Sequence, residues 1–241
     1  MDFGYLAVLA AAVAVIVLRF GRWRRDPGTR PLTVTLLLIV AAAIAHHPRL
    51  LDSRWPDEHS PAFLHLANWA NLTGDLLAMV IAGYMGARVA RAWMFDRLVP
   101  WLIAGTVAVM LALVTLWQVS DASRIPARSI SELGGAASWY GVVSATALTL
   151  SGLAVCASVA LARDLPARVR TALIPMALGS AAAVGLGLMH LGAALRHLGH
   201  PYADPPYATL VAGMALVCYT ASGLLDHLAR RPSARAGIAV G

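Results

Sequence analysis

Apolar residues recur along this chain in long, nearly unbroken runs, separated by short polar connections rich in arginine. A helix crosses a bilayer with about 20 apolar residues, in a range of roughly 17–25. Seven stretches meet that requirement: 3–20, 31–47, 62–89, 100–119, 137–162, 172–196 and 207–228. They are rich in Ala and Leu and lack the roughly ten-residue alternation of a membrane barrel strand. The pattern therefore predicts an all-α polytopic bundle of seven transmembrane helices. It forms one membrane domain over 1–241, with a short basic tail at 229–241. Helix entry is marked by Ser60-Pro61, an N-cap followed by proline at the first helical position, and by Pro31 and Pro100.

Composition strengthens this reading. Of 241 residues, 59% are hydrophobic and 13% charged, against about 25% charged in a soluble domain, and the mean hydropathy is +0.68. The net charge of +7 does not imply nucleic acid, because the arginines lie in short clusters between apolar runs rather than on one soluble face. The bilayer is the expected partner, with room for a membrane-protein partner or a homo-oligomer. All nineteen basic residues are arginine. A retinal Schiff base needs a lysine, so a rhodopsin-type pigment is excluded. Cys156 and Cys218 both sit inside apolar runs and read as small hydrophobes with no disulfide.

Arginine also sets the expected orientation. The connections after spans one, three, five and seven hold Arg19, Arg22, Arg24, Arg25, Arg30, Arg88, Arg91, Arg97, Arg163, Arg168, Arg170, Arg230, Arg231 and Arg235, fourteen in all. The opposite side holds five: Arg49, Arg54, Arg124, Arg128 and Arg196. The positive-inside rule puts the fourteen in the cytoplasm, the N-terminus outside and the C-terminus inside. The membrane is expected to be a bacterial plasma membrane. Span one has no basic segment before it and is followed by its positive cluster, so it reads as a retained anchor rather than a signal peptide.

Span three carries the chemistry. At 100° per residue, Asn68, Asn71 and Asp75 share one face, with His65 flanking them. Counted from residue 62, Asp75 lies ~20 Å down, past the middle of a ~30 Å core. An aspartate at that depth costs about 2.5–3.5 kcal/mol on insertion scales, so it needs a partner or a task. It lines a cavity for a ligand, ion or proton, or it is a neutral carboxyl that glues helices together.

The histidines favour the outer side. His46, His47, His59, His65, His190, His197 and His200 map there, and His227 alone lies inside. His46 or His47, His65, His190 and His197 are candidate ligands for copper, zinc or a bis-His haem, although no HxxxH, HExxH or CxxC spacing accompanies them. The alternative is that their rings rest at headgroup level. Span six places His190 and His197 on one face, and Gly179, Ala183 and Gly187 continue that face inward as a small-residue packing surface. Trp55, Trp69, Trp117, Trp139 and Tyr140 read as an outer aromatic belt, and Trp23, Trp93 and Trp101 as an inner one.

Enzyme signatures are sparse. Ser151-Gly152 lacks the GxSG elbow, and Ser151 lies about 12 Å deeper than His190 by residue count, too far for a nucleophile and its base. No Walker loop or GxGxxG is present. The chain is expected not to be an enzyme.

Three passages carry a resemblance: PRLLDSRW at 48–55, NLTGDLLAMV at 71–80, and ARDLPARVRTALIPMALGSAAAVGLGL at 162–188. With them the chain resembles a family of actinobacterial integral membrane proteins described as transporters. The resemblance implies a seven-helix membrane region and assigns no residue a role. The cytoplasmic domain that follows this region in the family has no counterpart in the 241 residues. The expected function is thus a receptor- or transporter-like protein whose outward cavity is lined by His65, Asn68, Asn71, Asp75 and His190. The alternatives are a metal- or haem-binding membrane protein and a non-catalytic partner subunit. No paired Gly/Pro-broken spans of the kind found in gated transporters are evident.

Overall fold

The computed structural model describes residues 2–46, 67–125, 129–161 and 167–230. Within them the chain forms seven α-helices: α1 (Asp2–Phe20), α2 (Arg30–Ala45), α3 (Trp69–Ala92), α4 (Val99–Val119), α5 (Ala136–Leu161), α6 (Ala167–Arg196) and α7 (Ala208–Ala229). Six are long and apolar enough to cross a membrane, and Gly4–Phe20 in α1 is a shorter apolar helix. No strand occurs among the described residues; Gly135 and Gly199 make one isolated antiparallel bridge.

The entries follow local chemistry. Pro31 and Pro100 stand in the first turns of α2 and α4, where the missing N–H has no intrahelical partner to lose. Asp26 accepts from Gly28 N and caps the short turn before α2. The third helix departs from expectation. It begins at Trp69, not residue 62, because Asn68 takes a left-handed conformation at φ 60°. The Asn68 amide donates to the carbonyls of Ala122 and Ile125, at 2.8 and 2.9 Å, in the connection after α4. Two tertiary bonds thus fix a residue type that tolerates this backbone region.

The helices close into a ring. In order around it, α1 packs on α2, α2 on α3, α3 on α5, α5 on α6, α6 on α7 and α7 on α1. Helix α4 stands outside, against α3 and α5. Close approach at α6 comes from small residues, the usual device where hydrophobic exclusion gives no drive. A Cβ on Gly187 would lie 3.0 Å from Ala145 O, and one on Gly179 would lie 3.2 Å from Ala215 O. The small-residue surface of α6 therefore seats both neighbours within the bundle.

Two apolar clusters flank the ring. One joins α3, α4 and α5 through Leu72, Met79, Leu113, Trp117 and Tyr140. The other joins α1, α2 and α7 through Ala12, Val15, Leu36, Val40 and Leu216. Trp117 and Tyr140 are 2% and 3% exposed, so they belong to the core and not to an aromatic belt. Trp69 stacks on Trp117. Trp93, Trp101 and Trp139 are exposed.

A polar clasp holds α1 to α7 at the arginine-rich end. Arg19 is fully buried. It donates to Thr33 Oγ1 at 3.0 Å, Gly223 O at 2.8 Å, Asp226 Oδ2 at 2.8 Å and Thr29 O at 3.0 Å. Asp226 also accepts from Arg230 Nε at 2.9 Å, and Arg230 reaches Asp26 at 3.3 Å.

Candidate ligand-binding cavity

The ring surrounds an open cavity of about 690 Å³, within the roughly 300–1,000 Å³ range of small-molecule sites. It is lined by α2, α3, α5, α6 and α7, by Tyr5 of α1, and by the connections around Ser129–Glu132 and Tyr202–Pro206. Its carboxyl and imidazole groups lie at the end opposite the Arg19 clasp.

Asp75 is the centre of that polar end. It lies six residues after Trp69, or ~9 Å along the helix. This replaces the ~20 Å expected from a start at residue 62. Asn71, one turn earlier, lines the cavity with it; both occupy the face that a four-residue spacing dictates. Asn68 has left that face, its amide committed to Ala122 and Ile125. His65 lies outside the described residues.

Helix α5 supplies two hydroxyls one turn apart. Tyr140 donates to Asp75 Oδ2 at 2.6 Å, and Ser144 donates to Oδ1 at 3.4 Å. From α2, the cap residue His46 brings Nε2 to 3.4 Å from Oδ1. The two oxygens are therefore unequal. Oδ2 holds a short, strong bond, whereas Oδ1 has two contacts at the outer edge of hydrogen-bond distance. The Asp75 side chain keeps 22% of its surface exposed.

The other His46 nitrogen fixes the protons. Nδ1 faces the Ala42 carbonyl at 3.1 Å, which only accepts, so Nδ1 carries a hydrogen. If the ring held no other, its Nε2 lone pair would confront a carboxylate. Either the ring carries a second proton, on Nε2, or the carboxyl carries one. In both forms the pair is neutral overall. Gly74 makes this contact feasible, since a Cβ there would overlap the His46 ring.

A second carboxylate stands at the rim. Asp204 Oδ1 accepts from Ser129 at 3.0 Å and Ser131 at 3.2 Å. His190 Nδ1 lies 3.9 Å away, beyond hydrogen-bond distance. Nearby Tyr202 is buried, and burial together with the charges of Asp204 and Asp75 pushes its pKa up to about 12.

The expected residues thus separate. Asp75, Asn71, His46 and His190 line the cavity. His197 is not among the lining residues; its ring stacks on Tyr202 at 6.1 Å. Among the described residues, no three of His, Cys, Asp and Glu are grouped to hold a metal; His47 and His65 lie outside them. Sequence reasoning missed Tyr140, Ser144, Gly74 and Asp204. Only the four-residue step from Tyr140 to Ser144 was visible in advance, as two hydroxyls on one helix face. Ser151 also lines the cavity, its hydroxyl donating to Leu148 O at 2.9 Å.

No family model, no curated protein and no solved structure matches this chain.

Proposed function

We propose that this chain is a receptor- or transporter-like protein of a bacterial plasma membrane, N-terminus outside, whose cavity takes a small ligand from the outer side. The reading is supported first by helices long and apolar enough to span a membrane. It is carried by Asp75, a carboxylate in the wall of a roomy cavity with one oxygen held firmly and the other loosely. A carboxyl serving only to join helices would be expected to spend both oxygens on short bonds. The orientation rests on the fourteen-to-five arginine split, which makes the end with Asp75 external. Membership of the actinobacterial transporter family is part of the same proposal and rests on the sequence passages alone.

The test is chemical access. Ser144→Cys is introduced into a chain with Cys156→Ala and Cys218→Ala, and intact cells are treated with a membrane-impermeant maleimide. Labelling at position 144 is expected. If only permeabilised cells label, the orientation is wrong; if neither labels, no open cavity reaches Asp75 and the ligand reading falls.

A further inference from the structure

We infer that the cavity takes an organic monocation with an apolar body. The inference rests on the ligand-cavity reading above and adds the chemical class.

Charge is the first ground. Three carboxylates line the space, Asp75, Asp204 and Glu132, against two imidazoles, His46 and His190, and no arginine lines it among the described residues. Asp75 and His46 form a pair that is neutral overall in either form, so the carboxylates of Asp204 and Glu132 face His190 alone. An anion entering this low-dielectric space would meet a field of its own sign.

Aromatic lining is the second ground. Four tyrosines reach the cavity: Tyr5, Tyr140, Tyr202 and Tyr219. Three have their hydroxyls engaged, Tyr5 with Ala43 O at 2.8 Å, Tyr140 with Asp75 at 2.6 Å and Tyr219 with Ser180 at 2.9 Å. Tyr140 and Tyr202 are 3% and 6% exposed, so the ring surface offered to a ligand is that of the half-buried Tyr5 and Tyr219, and ring faces attract cations.

The remainder of the lining is the third ground. Away from Asp75 the wall turns to Ile39, Ile81, Leu186 and Leu216. A bare metal ion leaves that surface unused and lacks a grouped ligand set among the described residues. An amine or quaternary ammonium carrying an alkyl or aryl group satisfies both ends. Its charge meets Asp75 Oδ1, whose present contacts are long, and its body covers the apolar wall.

The Ser144→Cys protein, with both native cysteines replaced, tests this in mild detergent. Two methanethiosulfonate reagents of similar size are compared, one with a trimethylammonium head and one with a sulfonate head, each normalised to a free thiol. The cationic reagent should react about tenfold faster. Asp204→Asn, at the exposed rim, should lower that ratio while leaving the Asp75 contacts in place. Benzyltrimethylammonium should protect the thiol, tetramethylammonium should protect it much less, and benzenesulfonate should not. Equal rates, or a faster anionic reagent, would overturn the cation assignment and leave the open cavity standing. Equal protection by both ammonium ions would overturn the apolar-body part. Failure of both reagents to react would sink the cavity reading itself.

Discussion

His46 and Asp75 meet across α2 and α3 at 3.4 Å, and the ring that faces the carboxylate with one nitrogen is tied by the other to its own helix through Ala42 O. The proton between them therefore belongs to the pair. Removing His46 strips Asp75 of its counter-group, and removing the Asp75 charge leaves His46 free to become an ordinary neutral ring.

His46→Ala should lower stability, and Asp75→Asn should recover part of the loss. Partly exposed pairs contribute about 1 kcal/mol or less, and contacting residues couple by about 0.5–3 kcal/mol. A double-mutant cycle of SDS-induced unfolding should give a coupling near 1 kcal/mol. Strict additivity would mean that the two side chains do not share a proton.

Gly74→Ala should reproduce the His46→Ala phenotype. The added methyl group occupies the space of the His46 ring, so the ring must leave Asp75. The two substitutions together should cost no more than the larger alone. A further loss on combination would show that Gly74 serves the helix and not the histidine.

At the opposite end, the Arg19 clasp should respond asymmetrically. Asp226→Ala removes the counter-charge of a fully buried guanidinium, and an uncompensated buried charge costs about 3–5 kcal/mol. Arg19→Met leaves Asp226 partly exposed and still bonded to Arg230, so it should cost less. Unfolding midpoints of the two variants decide the order; the reverse order would mean that Asp226 depends on Arg19 more than Arg19 on it.

Tyr202 sets an alkaline limit. Its folded pKa is about 12 against 10.0 in an unfolded chain. The folded state holds the phenolic proton more tightly, so this contribution is complete below pH 10 and is lost as pH rises towards about 12. Stability should fall across that window, and Tyr202→Phe should flatten the fall. Tyrosinate absorbance in the wild type should include a group titrating towards pH about 12 that Tyr202→Phe removes; identical titrations of the two proteins would contradict the burial of this ring.

The helices were legible because each is a long apolar run, and their observed bounds lie within a few residues of expectation except at α3. That exception has a physical cause. Asn68 is held by carbonyls more than fifty residues away, and nothing in a local run announces such a bond. Asp75 was visible as an anomaly in an apolar helix, but its partners were not. Tyr140 looked like an interfacial aromatic until its hydroxyl found a carboxylate, 65 positions removed. Arg19 looked like one more topological charge, although its carboxylate partner lies 207 residues along the chain. Spacing reports what shares a helix face; it is silent on which faces meet.

The clasp between α1 and α7 also bears on how the protein is made. Chains emerge N-terminus first, so Arg19 enters the bilayer long before Asp226 is synthesised. Until the seventh helix arrives, the ring is an open arc and the guanidinium lacks its carboxylate. The last helix thus completes the cavity wall and neutralises the first helix in one event. A ribosome stalled before α7 would hold a chain whose first helix still lacks the carboxylate that later locks the finished bundle.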